Sequence, residues 1–247
     1  MKILVCVSKT PDTTTKIVLN TAGTALDDNG VQYIMNPYDE WYALVRGLEL
    51  QEAFGGTVTL INVGPETNDA ILRKGLAIGA QDAVRVDTVP RSALFTARQI
   101  AAHAQQEQYD LILLGKETID YNGSEVGAMV AELLDLPFIS HASKLDMTDG
   151  QTAVVQRDIE GGTEALELAL PFVLSAAKGL AEQRIPNMRG IMMAKSKPLN
   201  VLPPVPAEDL AVAVHYTLPQ SKSAVRMVAA EDMEELVRLL HEEAKAL

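Results

Sequence analysis

The chain has 247 residues, 47% of them hydrophobic, and a formal charge of −12; this length gives one large α/β domain, or one domain with an extension, and a sizeable core. The acidic balance excludes nonspecific nucleic-acid binding, because a polyanion is repelled, and no apolar run approaches the ~18 residues of a membrane span, so an integral membrane protein is not expected. One cysteine, Cys6, excludes an intramolecular disulfide and fits a reducing compartment.

Residues 2–7 (KILVCV) are short, apolar and β-branched, a buried first strand. The apolar part of MKILVCVSK is too short for a signal peptide and no transit peptide is visible, which predicts a cytoplasmic protein, or a mitochondrial-matrix one in a eukaryote. Ser8 to Gly30 is polar and Thr-rich, a long loop or a hairpin. A helix is predicted after Asn36, with Asn36 as cap, Pro37 at the first position and Asp39 and Glu40 complementing the positive end. Trp41, Leu44, Val45 and Leu48 form its buried face, and Gly55 and Gly56 stop it. TVTLINV (57–63) is the next strand, followed by a helix near 67–78 and a short strand over 83–86.

Ser92 caps a further helix with Ala93, Ala97, Ile100, Ala101 and Ala104 inward. A strand over 110–114 leads to a helix facing the core with Val126, Met129, Val130, Leu133 and Leu134. Strands alternating with helices predict a parallel sheet covered on both faces. Residues 138–176 read as short strands with turns at Thr148-Asp149-Gly150 and Gly161-Gly162, a β-rich edge of the same domain. From about 178 the chain is basic and irregular, VLPPVPAED (201–209) is semi-rigid, and a last helix is predicted near 231–246. These boundaries divide the chain into an α/β domain (1–178), a basic segment (179–200), and a C-terminal arm that needs a partner surface (201–247).

Two stretches carry candidate chemistry. The turn from Gly115 to Glu125 follows a strand and opens a helix, where free amides and the helix end favour an anion; Asn122 and Ser124 add donors and Gly123 admits close approach. The bland reading is an ordinary helix cap. Asn36-Pro37-Tyr38-Asp39 also opens a helix, and Tyr38 could cover an adenine; alone it too reads as a cap. Cys6 reads as a small buried hydrophobe. Asp12, Asp39 and Asp120 could approach one another, although local solvation is the ordinary reading. His103, His141, His215 and His241 show no metal spacing and read as surface or edge residues. There is no HExxH, CxxC, GxSxG or GxxxxGK(S/T), and VCVSKTPD stands where a GxGxxG would follow the first strand. No catalytic residue is assigned.

Six stretches, in order, carry a resemblance: KILVCVSKTPD (2–12), VQYIMNPYDEWYALVRGLEL (31–50), LRKGLAIGAQDAVRV (72–86), DLILLGKETIDYNGSEVGAMVAELL (110–134), VVQRDIEGGTEALELALPFVLSA (154–176) and GIMMAKSKPL (190–199). Together they resemble the β (small) subunit of electron transfer flavoprotein. The resemblance implies a flavodoxin-like (adenine nucleotide α-hydrolase-like) α/β domain with a C-terminal arm, paired with a larger α subunit that mainly holds FAD. It implies a structural AMP in this subunit, with contacts carried over to Cys6, Asn36, Pro37, Tyr38, Asp39, Val63 and the loop Gly115, Lys116, Glu117, Thr118, Ile119, Asp120, Tyr121, Asn122, Gly123, Ser124, Glu125 and Val126.

The family's recognition loop carries over to about 181–191, with Met188 as the apolar anchor, Ile185 beside it, and Arg184 and Arg189 orienting acyl-CoA dehydrogenases. Two departures stand out: Ser124-Glu125-Val126-Gly127 replaces the family's Asn-x-Thr-Gly and brings a carboxylate near a phosphate, and Thr13-Thr14-Thr15 stands where many members have an aromatic. The implied function is an electron carrier without turnover of its own, serving fatty-acid oxidation and passing electrons from dehydrogenases to a quinone oxidoreductase. The alternative is the electron-bifurcating branch, with a second FAD in the AMP position and NADH as donor. Glu125-Val126-Gly127 leans toward that branch and Arg157 to Gly162 toward the single-flavin one. A stand-alone nucleotide sensor is a third reading, which the basic arm and Pro-rich tail argue against.

Overall fold

In the computed structural model, which describes residues 1–221 and 224–247, the chain runs β1 (Lys2–Cys6), β2 (Lys9–Pro11), β3 (Tyr33–Met35), α1 (Asp39–Phe54), β4 (Thr57–Val63), α2 (Asp69–Ile78), β5 (Asp82–Val86), α3 (Ala93–Glu107), β6 (Leu111–Gly115), α4 (Val126–Leu134), β7 (Phe138–Met147), β8 (Thr152–Ile159), β9 (Gly162–Ala169), β10 (Phe172–Ala176), α5 (Met188–Ala194), β11 (Leu199–Leu202) and α6 (Met233–Arg238). Nine strands form one sheet in the order β11-β5-β4-β1-β6-β10-β7-β8-β9. Every pairing from β11 to β7 is parallel, and β7-β8-β9 close the edge antiparallel.

Alternation of side chains along the central strands explains the layers. Ile3 and Val5 point to one core with Leu44, Leu48, Leu72 and Leu76 of α1 and α2. Leu4 and Cys6 point to the other, with Ala97, Ile100 and Ala104 of α3 and Val130 and Ala131 of α4. β6 divides the same way, Leu111 and Leu113 against Ile112 and Leu114. Both faces of the central strands are covered, so these strands read as unbroken apolar runs. The expected parallel sheet with a β-rich edge is therefore observed.

Local signals account for the ends. Ser92 Oγ accepts from Phe95 N at 3.2 Å and caps α3, and Gly55 ends α1 at φ 74°. The turn before β8 is an Asx turn, with Asp149 accepting from Gln151 N and Thr152 N. Four expectations are corrected. Helix α1 begins at Asp39, later than the Asn-Pro signal predicts. Leu133 is exposed and Ala93 only half-buried, because α3 and α4 face the sheet with a narrower stripe. His103 is buried, its Nε2 3.0 Å from the Tyr109 hydroxyl, which satisfies the ring inside the protein. The basic stretch after 178 contains a helix and a strand: β11 pairs parallel with β5, a long-range pairing that its four residues do not announce.

Residues 1–215 and 216–247 form separate compact units. In the second, Asp232 caps α6 by accepting from Glu235 N at 3.1 Å. The helix continues as a π-helical turn, Leu239–Glu243, shorter than the predicted 231–246. Arg238 pairs with Glu235 and Glu242, and Arg226 with Glu243. Val225, Met227, Met233, Val237 and Leu247 are exposed. Lys222 and Ser223, within the expected arm, lie outside the described residues.

Phe172 is fully buried on β10, which pairs parallel with β6 on one side and β7 on the other. Phe172→Ala is expected to lower unfolding stability by about 3–5 kcal/mol, read as a drop in urea midpoint.

Candidate functional site

From β1 the chain passes to β4 and β5 on one side, then returns with β6 to the other side of β1. Strand order reverses between β1 and β6, where open α/β sheets place their ligand crevice. Cys6, Val63 and Gly115 end the strands there. Two connecting segments converge on the opening: Asn36 to Glu40, leading into α1, and the loop 115–125, leading into α4.

Asn36 joins them. Its side chain is fully buried; Nδ2 donates to Glu117 O at 3.0 Å and Oδ1 accepts from Ile119 N at 3.0 Å. Asn36 is thus a bridge between two loops and not the predicted helix cap. Pro37 is half-buried behind it. The cap position falls to Tyr38, at φ 64° and ψ −99°, a sparsely populated conformation for an aromatic residue, with its side chain largely exposed. Gly115 is dictated by close approach: a Cβ there would lie 2.7 Å from Glu40 Cγ and 3.0 Å from Glu40 N.

Along the loop, Lys116 N donates to Ala176 O, anchoring it to β10. Asn122 N donates to Thr118 O, closing a turn over Ile119, Asp120 and Tyr121. Asn122 and Ser124 both have positive φ, 51° and 52°, and Glu125 follows in the right-handed region. A left-handed residue beside a right-handed one turns successive amides into a common concavity that suits an anion, and the first-turn amides of α4 lie next to it without intrahelical acceptors.

The charge around this concavity is mostly negative. Lys116 Nζ is 3.0 Å from Glu117, which holds the Glu117 carboxyl below the usual range, and Ser124 Oγ donates to Glu117 at 3.2 Å. Glu125 is exposed, with Oε1 3.6 Å from where a Cβ on Gly123 would be. Asp39 is raised above its ordinary value, by burial first.

Glu40 lies deepest. Burial pushes its carboxyl up to about 8, with Asp120 and Asp39 adding to the rise, and it accepts from Ser8 N at 2.6 Å. Cys6 is buried, and burial and then Glu40 push its thiol well above the ordinary range, so it is no nucleophile. Of the three aspartates that could meet here, Asp39 and Asp120 act on Glu40, while Asp12 makes its hydrogen bonds to Thr14. Among the described residues, no group of three or more His, Cys, Asp or Glu side chains is arranged to hold a metal ion.

Residues 23–207 match the model of the electron transfer flavoprotein domain. Over its full length the chain is 37% identical to the electron transfer flavoprotein subunit beta of Bacillus subtilis, covering all of that protein. It is 33% identical to the human electron transfer flavoprotein subunit beta, over 94% of this chain and 95% of that one. The chain belongs to the electron transfer flavoprotein β-subunit family. A mitochondrial electron transfer flavoprotein subunit beta of Arabidopsis thaliana is similarly close, 35% identical over 99% of both chains.

On this β-subunit fold the segment expected to recognise a partner lies at α5. Ile185 and Met188 are 81% and 74% exposed, and Arg189 is exposed beside them. Arg184 instead pairs with Glu52 at 2.6 Å, and its carbonyl accepts from Trp41 Nε1 at 3.1 Å. The stretch expected as a loop is helical from Met188 onward, capped by the Asn187 side chain accepting from Gly190 N. Sequence reasoning missed Glu40 and His141 at the crevice. An acidic residue in a first helical turn is ordinary, and only burial sets Glu40 apart. His141 has φ 57° where β7 and β10 shift register, and it acts on Asp39; no local signal marks it.

Asn36→Ala leaves Glu117 O and Ile119 N without their partner, and is expected to cost about 1–3 kcal/mol and to speed amide hydrogen exchange over residues 116–126. For Glu40 the folded value lies above the unfolded 4.5, so the stability due to its proton is complete below pH 4.5 and is lost as pH rises through about 8. Glu40→Gln keeps the acceptor for Ser8 N and does not titrate. Its stability should match that of the native chain near pH 4 and exceed it near pH 9 by up to about 5 kcal/mol; an equal difference at both pH values would show Glu40 to be ionised.

Proposed function

We propose that this chain is the β subunit of a heterodimeric electron transfer flavoprotein whose crevice between β1 and β6 holds AMP as a fixed structural ligand. The observation that carries this reading is the Asn36 bridge. A fully buried carboxamide is used to fix the backbone of residues 117–119, which is how a binding loop is made rigid and not how a cap is made. The amides of Gly123, Ser124 and Glu125 and the start of α4 would take the phosphate, and Tyr38 would cover the adenine. Cys6, Val63, Pro37 and Asp39 line the inner wall, and Lys116, Thr118, Ile119, Asp120, Tyr121, Asn122 and Val126 complete the cradle.

The carboxylates are compatible with that phosphate on three grounds. Glu117 is paired with Lys116. Glu40 has its proton at neutral pH, with its value pushed up to about 8 by burial. Glu125 is an exposed side chain, free to turn outward. The fit is thus one of backbone donors, with little help from side-chain cations.

FAD, held mainly by the α subunit, would supply the redox chemistry, and this chain the position and polarity around it. The exposed face of Ile185, Met188 and Arg189 would dock acyl-CoA dehydrogenases, with Arg184 orienting the segment from its pair with Glu52. Electrons would leave to a quinone oxidoreductase. No helix among the described residues is long and apolar enough to cross a membrane, so contact with a membrane-bound acceptor would be peripheral. A cytoplasmic or mitochondrial-matrix setting accords with the single cysteine.

Denaturing extraction of the complex purified with its α subunit tests the reading. One FAD and one AMP per heterodimer are expected. Two FAD and no AMP would replace it with the electron-bifurcating alternative, in which NADH is the donor. A stable monomer that binds nucleotide without any flavin-containing chain would favour a sensor.

A further inference from the structure

The exposed segment at α5 has almost no core of its own. It is seven residues long, far below the roughly 12–15 at which a helix holds itself in water, and only Ala194 within it is buried. Met188 and Met192 are 74% and 69% exposed. Its conformation must therefore be imposed from outside. Two cations do this reciprocally across α2 and α5. Arg73, on α2, donates through Nη1 to Ala194 O and Lys197 O, both at 2.7 Å, at the end of α5. Lys197, just beyond α5, donates through Nζ to Leu76 O at 2.8 Å, Gly79 O at 3.3 Å and Ala80 O at 2.5 Å, at the end of α2.

Each segment thus sends a positive charge to the carbonyl-rich terminus of the other helix, where the helix dipole favours a cation. The two backbones meet between these contacts: a Cβ on Gly190 would lie 2.4 Å from Ala77 O. Upstream, the Trp41 indole and the Glu52 carboxylate hold Arg184. Downstream, β11 is zipped to β5. The methionine face is suspended between fixed ends.

We propose that Arg73 and Lys197 are positioning residues for partner docking: by gripping each other's helix-end carbonyls they keep α5 in the form that presents Met188 and Met192 to an electron-donating dehydrogenase. The inference rests on the docking reading above and goes beyond it, since neither residue reaches the exposed face. Preorganisation of this kind removes an ordering cost from binding and leaves the chemistry untouched.

The test uses the complete heterodimer with an acyl-CoA dehydrogenase as donor. Lys197→Met and Arg73→Met are expected to raise the KM for the flavoprotein about 5- to 10-fold, with kcat within about twofold and unchanged flavin content. Amide exchange over residues 188–196 should accelerate about tenfold or more. Lys197→Arg, which can still reach the α2 carbonyls, should restore most of the KM. Arg73→Lys, a point donor where the guanidinium bridges two carbonyls, should fall between and serves if a methionine variant does not fold.

Met188→Ala is the control. If it raises KM while the clamp variants leave KM and exchange as in the native complex, the clamp has no positioning role and the proposal falls. If Met188→Ala leaves KM unchanged, the docking reading falls, and the docking role of the clamp falls with it.

Discussion

A single carboxamide governs the crevice. Asn36 has no exposure to water, and both ends of its amide are spent on the backbone of the loop after β6. A buried polar group of this kind is costly unless every partner is present, so the loop is held to the geometry that satisfies it. The left-handed turns at Asn122 and Ser124, the seat of Gly115 against Glu40 and the entry into α4 all lie on the loop held at that point. The same contact explains why α1 starts at Asp39, since an Asn committed to a neighbouring loop cannot also cap a helix.

If the crevice takes a phosphate as proposed, it does so in an acidic protein with few cations at hand. Lys116 is committed to Glu117, and Asp39, Asp120 and Glu125 surround the opening. What lowers the negative charge is burial. A carboxyl removed from water holds its proton, and Glu40, pushed up to about 8, enters the site as a neutral acceptor for Ser8 N. The attractive elements that remain are backbone amides, whose orientation is set by the chain path. Such a site is suited to holding a group in place. Its most embedded ionisable groups, the Cys6 thiol and the Glu40 carboxyl, both favour their neutral forms.

The exposed segment at α5 follows a different rule. Around α5 the apolar side chains face outward and the stabilising contacts run through carbonyls and cations. Arg73 and Lys197 work at helix ends, and Gly190 lets α5 sit against the backbone of α2. The exposed methionines are thereby left free of any structural duty. The cost is dependence on a few polar contacts, where a longer helix with its own buried face would need none.

The alternating framework is legible in the order of the residues alone. Apolar runs such as KILVC and TVTLINV, the spacing of Trp41, Leu44, Val45 and Leu48, and the cap at Ser92 are local signals, because side-chain period and helix capping act over a few residues. Six stretches of similarity also placed the chain in its family and pointed to the two segments that border the crevice. How those segments meet is set by long-range packing. Whether Asn36 caps or bridges depends on a loop some eighty positions away, and whether Glu40 is charged depends on burial, which no first-turn glutamate reveals. The helix at Met188 and the strand at Leu199 exist because α2 and β5 receive them. Long-range contacts of this kind are properties of packing, and packing is absent from any short window of residues.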